Sequence, residues 1–217
     1  MIRLVKLDCP SVLALNAEEW THELLEAQAA GDPDAARLRL RYRDPSIKAT
    51  LVQETAGKCA YCESKLRHVI PGDTEHIAPS SKRPELTFAW ENLTLVCVEC
   101  NRNKLDYYSD SPPSTLVNPY LDEPSEHLRF FGPSVFHLTP DRGYLTRQKL
   151  KLDRAELIDR RRQRLEAVHH LLDLWRRAPE GEVKAQLRED LLAETERECE
   201  FSAAVRDFLR AQPDFAL

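Results

Sequence analysis

Two cysteine pairs, Cys59-Ala-Tyr-Cys62 and Cys97-Val-Glu-Cys100, are the residues of this 217-residue chain most directly suited to chemistry. Two thiolates on a tight turn can hold one side of a metal ion, and a second such pair completes the tetrahedral four-sulfur cage that zinc favours. The backbone N–H groups of such turns can hydrogen-bond the sulfurs and support their charge. A cage filled by four protein ligands has no place for a substrate, so the expected ion is a structural zinc that pins the ends of the bracketed segment, 63–96. A redox dithiol or buried free thiols are the competing readings, and two coinciding pairs favour the metal. Cys9 and Cys199 have no partner at ligand spacing and are expected to serve as small apolar side chains.

Inside and just after the bracket lie Thr74-Glu75-His76-Ile77-Ala78-Pro79, Trp90-Glu91-Asn92-Leu93-Thr94-Leu95-Val96, and Asn101-Arg102-Asn103-Lys104 directly after Cys100. An imidazole titrates near neutrality and can take a proton from water, while carboxylate and amide oxygens suit a hard divalent cation. An acid beside a histidine, an asparagine before a short strand, and Cys-Asn-x-x-Lys opening a helix, in that order, resemble the HNH endonucleases over residues 58–106. The resemblance implies a ββα-metal unit, with Glu75 and His76 on the first strand, Asn92 to Val96 on the loop and second strand, and a helix from about Val98 through Lys104. It implies His76 as the general base, Asn92 as the residue that fixes the loop and orients His76, and Asn101 with Glu75 as ligands of a catalytic Mg²⁺ or Mn²⁺. Many members carry Asp where this chain has Glu75, so direct ligation, ligation through water and orientation of His76 all stay open for it. Lys104 and Arg102 are placed to meet phosphates, with solvated surface charge as the alternative for Arg102.

Within that segment stand Lys58-Cys-x-Tyr-Cys-Glu63 and Trp90-x-Asn-Leu93, and beyond it Asn118-Pro-x-x-Asp122-x-Pro124-x-x-His127 extends the pattern. The whole is similar to the HNH nucleases of bacterial Septu antiphage systems and to those found beside some retrons. That likeness implies DNA as substrate and an SMC/ABC-like ATPase of the PtuA type as partner, in a possible hetero-oligomer. Asp122 and His127 are expected to tie the segment after the motif to the nuclease core.

Four stretches must position these residues: an N-terminal helical segment (1–57), the zinc-stabilised core (58–106), a loop and hairpin segment (107–150) and a C-terminal helical segment (151–217). The fold class expected is α+β, mainly helical. Asn16 with Glu19 reads as a capping box for a first helix ending near Gly31, and Asp44-Pro45 precedes a second that stops before Gly57. Phe130 to Leu138 and Asp141-Arg-Gly suggest one or two hairpins. Asp153 reads as the cap of a long helix, broken at Ala178-Pro-Glu-Gly181 and followed by a single last helix. A mean hydropathy of -0.51 and the lack of a long apolar run argue against a membrane span and for a cytoplasmic protein. The net charge of -5 argues against coating nucleic acid by bulk charge. Residues 142–164 are locally basic, a stripe that could follow a phosphate backbone or be a solvated, internally paired helix face. A zinc-ribbon module that binds without cutting and a stand-alone HNH nuclease are the other functions compatible with the sequence.

Overall fold

The computed structural model describes residues 1–66 and 71–217. It is mostly helical, at 51%, with two separate two-stranded sheets. Helix α1 (Ser11–Ala29) begins directly after Pro10, well over a turn before the expected Asn16 cap. Asn16 lies inside the helix, where its Nδ2 donates to Val12 O at 2.8 Å, so the amide bonds back to the preceding turn instead of capping. Helix α2 (Ala35–Arg39) runs into a 3₁₀ turn, Leu40–Arg43. Helix α3 (Pro45–Glu54) starts as the sequence suggests: Asp44 Oδ1 accepts from the Ser46 N–H at 2.8 Å, and Pro45 occupies the first turn.

Gly72, at φ +70°, turns the chain into β1 (Asp73–His76); a Cβ there would come within 2.7 Å of Leu66 Cδ1. Strand β2 (Leu93–Val96) pairs antiparallel with β1, setting Glu75 opposite Thr94 and His76 opposite Leu93. Helix α4 (Val98–Lys104) follows at once, which completes the ββα order expected for the motif. A two-stranded ribbon is marginal by itself in water. Here it is covered on the inside: Leu93, Leu95 and Val96 join one core with Leu13, Leu24, Ile47 and Leu51 of the N-terminal helices and with Val117, Leu150, Leu157 and Phe201 from later in the chain. Each such side chain contributes about 1.5–3 kcal/mol when fully buried. Trp90 Nε1 donates to Leu7 O at 2.8 Å, a further tie between the N-terminus and the unit.

Strands β3 (Leu128–Phe131) and β4 (Ser134–His137) form one hairpin around Gly132, at φ +55°. In place of a second hairpin comes helix α5 (Arg142–Lys149), capped by Asp141 and held inward by Thr146, whose Oγ1 accepts from the Val117 N–H at 2.8 Å. Helix α6 (Ala155–Arg177) has no side-chain cap. Asp153, the expected cap, instead accepts from Arg147 at 2.7 Å. The single last helix is in fact two, α7 (Glu182–Ala193) and α8 (Ser202–Arg210), separated by a bend that ends on buried Phe201 at φ +55°. They close a second apolar cluster on α6 built from Leu165, Val168, Leu172, Leu191, Val205 and Leu209.

The basic stretch 142–164 is largely consumed within the fold. Arg142 pairs with Asp122, Arg162 with Asp159 and Arg164 with Glu194, while Arg161 is buried and donates to Leu152 O at 2.8 Å. The stripe is therefore not the solvated, internally paired face of the expectation: only Arg147 and Arg162 pair with carboxylates inside it, and the other ion pairs reach carboxylates elsewhere in the chain. Asp122 also accepts from the Asn118 N–H at 2.7 Å, and His127 Nδ1 lies 3.2 Å from Thr139 Oγ1, so these contacts brace the segment 107–150 internally and do not themselves reach the core 58–106. Cys9 is exposed and Cys199 half-buried. Among the described residues no helix is long and apolar enough to cross a membrane.

Candidate active site

The four cysteines converge. Their Sγ atoms all lie within 4.8 Å of one another, and they are the sole cluster of three or more His, Cys, Asp or Glu able to hold a metal among the described residues. The Cys62 and Cys97 sulfurs are 3.8 Å apart, the edge of a tetrahedron with metal–sulfur bonds of about 2.3 Å. Each knuckle donates a backbone N–H to its first sulfur, Cys62 N to Cys59 at 3.5 Å and Cys100 N to Cys97 at 3.3 Å. Ala60 N–H bonds Leu95 O at 2.9 Å and so stitches the first knuckle to β2. A cation completes the arrangement: the Arg154 guanidinium lies 3.8–3.9 Å from the sulfurs of Cys62, Cys97 and Cys100. It offsets part of the negative charge that four thiolates would concentrate there.

His76 is buried at the end of β1, its ring edge-on to Tyr42 with centroids 4.5 Å apart. Its Nε2 faces Thr87 O at 2.9 Å. A carbonyl only accepts, so Nε2 carries the proton and Nδ1 presents a lone pair. Burial lowers the ring pKa to about 4, assisted by the charges of Lys104 and Arg39, against the pull of the Thr87 carbonyl. The ring is therefore neutral at pH 7, the form a general base requires. This pKa lies below the 6.5 of a free imidazole, so the unfolded chain binds the proton more tightly. The ring's contribution to stability is complete above about pH 6.5 and is lost as pH falls through about 4. NMR titration of the His76 ring without added divalent ions is expected to give a midpoint near 4, and a midpoint near 6.5 would contradict it.

Asn92 fixes the loop between the strands. Its Oδ1 accepts from the Ala78 N–H at 2.7 Å, and its Nδ2 donates to Ala78 O and Leu86 O, both at 3.0 Å. Leu86 precedes Thr87, so the amide that anchors one carbonyl also steadies the next, to which His76 is tied. Asn92 thus reaches His76 through the backbone of 86–87.

Lys104 is placed differently from expectation. It is 2% exposed, its Nζ donating to Glu75 Oε1 at 2.7 Å and to His76 O at 2.9 Å, because the face of α4 that carries it packs onto β1. An ammonium so enclosed fastens helix to strand and does not reach out to phosphate. Burial raises the Glu75 carboxyl pKa while Lys104 pulls it down. The hydrogen-bonded ion pair is what makes the buried charges tolerable. Lys104→Ala would strand the Glu75 carboxylate, and urea unfolding is expected to show a loss of about 3–5 kcal/mol.

Asn101 is half-buried and donates Nδ2 to Asp73 Oδ2 at 3.0 Å. Asp73, to which the sequence reading gives no role, thus places a carboxylate beside Asn101. Its position two residues before Glu75, on the same strand face, was the available signal. Asp73 and the Asn101 carbonyl are hard oxygen donors of the kind a divalent ion takes, whereas Glu75 has one oxygen committed to Lys104. Arg102 is exposed and paired with Glu99 on its own helix.

His76, Glu75 and Asn101 open onto one cleft of about 270 Å³. The N-terminal segment adds Arg39, Tyr42 and Arg43 to its lining. The sequence reading assigns these three residues no role. The alternating run Arg37-Leu-Arg-Leu-Arg-Tyr-Arg43 is the signal that could have marked them.

Residues 59–106 match the family model described as HNH endonuclease. This chain therefore carries an HNH endonuclease domain, and its enzymatic class is nuclease. It is 27% identical to Septu protein PtuB of Bacillus thuringiensis over 99% of its own length and 84% of that protein's. It is also 29% identical to Septu protein PtuB of Bacillus mycoides (strain KBAB4), over 55% of this chain and 51% of the relative.

Proposed function

We propose that this chain is a metal-dependent DNA endonuclease, the cutting subunit of a Septu-type antiphage defence complex that includes an SMC/ABC-like ATPase, acting in the cytoplasm. The observation that carries the nuclease reading is the His76 ring: buried, neutral, fixed by Thr87 O through Nε2, with Nδ1 left to accept a proton. The likeness to Septu protein PtuB along nearly the whole chain supports the defence assignment.

In this reading His76 Nδ1 takes a proton from the attacking water as its oxygen bonds phosphorus. The bridging P–O bond opposite then breaks, and the leaving oxygen takes up a proton. Asn92 keeps Thr87 and hence the ring in place. Asn101, Asp73 and the outer oxygen of Glu75 are the groups able to hold Mg²⁺ or Mn²⁺, in the order their freedom from other contacts suggests. When bound, that ion neutralises charge on the phosphoryl and leaving oxygens. The four cysteines hold a structural zinc, a donor set and spacing that leave no open position.

Affinity purification from the native host is expected to recover an ATPase with the wild-type protein. Plaque counts should be reduced by wild type and not by His76→Ala. Recovery without an ATPase, or equal protection by His76→Ala, would overturn the defence assignment.

A further inference from the structure

Four arginines alternate along the end of α2 and the 3₁₀ turn behind it, and the fold sorts them into two kinds. Residues four apart share a face of such a helical segment. Arg37 and Arg41 face away from the cleft and are satisfied there, Arg37 by Asp34 at 2.9 Å and Arg41 by Glu23. Arg39 and Arg43 face the cleft that contains His76, Glu75 and Asn101. Among the described residues neither meets a carboxylate within ion-pair distance. Arg43 has one weak polar contact, Nε to Tyr42 Oη at 3.4 Å, with its guanidinium 5.7 Å from the Tyr42 ring centroid. Tyr42 in turn packs edge-on against His76. The two unpaired cations thus line the same cleft as the base.

Arg39 is half-buried without a counter-ion, a desolvation cost that an anionic ligand would offset, while Arg43 is exposed at the same cleft and can meet a phosphate directly from solvent. The contrast with the rest of the molecule is sharp: the basic stretch 142–164 spends most of its charge on internal carboxylates, carbonyls and thiolates. The planar guanidinium fork matches two oxygens of a phosphodiester. Resting on the nuclease reading of this cleft, we propose that Arg39 and Arg43 bind non-bridging oxygens of the cleaved DNA strand at and beside the scissile phosphate. They seat the backbone against His76 Nδ1, which makes the N-terminal helices part of the substrate site. The ligand is the DNA backbone and not a base, so the contacts carry charge and position without sequence preference.

The test is the salt dependence of binding to a fluorescein-labelled DNA duplex, in the full-length His76→Ala protein with Mg²⁺ so that no cutting intervenes. Each phosphate contact contributes about 0.9 to the slope of log affinity against log salt. Arg39→Gln and Arg43→Gln are each expected to reduce that slope by about 0.9, and the pair by about twice as much. Arg39→Lys and Arg43→Lys, which retain the charge, should keep it, as should Arg37→Gln and Arg41→Gln. Unchanged slopes in both cleft variants, an equal loss in Arg37→Gln and Arg41→Gln, or no salt-dependent binding by the parent would overturn the proposal. Cleavage by the otherwise wild-type protein separates the two ideas. Cutting with unaltered slopes removes the arginine assignment alone, and no cutting with the expected slopes removes the nuclease reading alone.

Discussion

His76→Ala is expected to lower the cleavage rate by about 10²–10⁴-fold, the range a well-placed general base contributes. DNA affinity and bound zinc should be unchanged. The argument rests on the ring's isolation. One nitrogen is tied to Thr87 O, the ring packs on Tyr42, and burial keeps it uncharged. No second histidine is among the residues that line the cleft. Alanine removes the proton acceptor and leaves β1 paired with β2, since the strand's hydrogen bonds are backbone ones. Single-turnover cleavage of labelled duplex, beside an equilibrium binding curve, reads the two effects separately. A variant that cuts at the wild-type rate would mean the base lies elsewhere. A variant that loses affinity along with rate would mean that His76 serves binding or the fold.

Cys62→Ser is expected to be the most damaging substitution for the fold. Cys62 is buried, 3.8 Å from the Cys97 sulfur and within reach of Arg154. Serine replaces a thiolate with a hydroxyl that is a far weaker zinc ligand, and it leaves the Arg154 cation with less to face. Apparent zinc-binding energies in structural sites are about 10–16 kcal/mol, as large as the whole stability of a typical domain, about 5–15 kcal/mol. The knuckles hold β2, through Ala60 N–H to Leu95 O, and they begin α4, so His76 and Asn101 lose their framework together. Elemental analysis should show zinc falling from one per chain towards none, and thermal melts should lose their cooperative transition. The same loss should follow chelation of the wild-type protein. A variant with no zinc and an unchanged melt would show the cysteines to be ordinary core residues.

The parts of this site that depend on short stretches of chain were legible before any fold was known. The cysteine knuckles, the Glu75-His76 strand, Asn92 and the helix opening at Cys97 are each set by a few adjacent residues, and they stand in the expected ββα order. What escaped depends on partners distant in sequence. Lys104 has the look of a surface cation one turn after Asn101, yet its side of α4 packs onto β1 and the charge goes to Glu75, 29 positions earlier. Arg39 and Arg43 reach the cleft only because α3 packs on β2 and α1 packs on α3, which brings the intervening turn beside His76. The same competition explains the misplaced helix starts. Asn16 and Asp153 are good caps by type, but a helix carbonyl takes the first and Arg147 the second. The bend between α7 and α8 carries no glycine or proline within 194–201 to announce it.

Cleavage of supercoiled plasmid by the purified protein, with whatever partners accompany it from its host, tests the nuclease assignment most directly. It should be run with Mg²⁺, with Mn²⁺ and with EDTA, wild type beside His76→Ala. The expected result is nicked and linear DNA with either ion, none with EDTA and none from the variant. Intact plasmid under every condition, or the same products from wild type and His76→Ala, would contradict it.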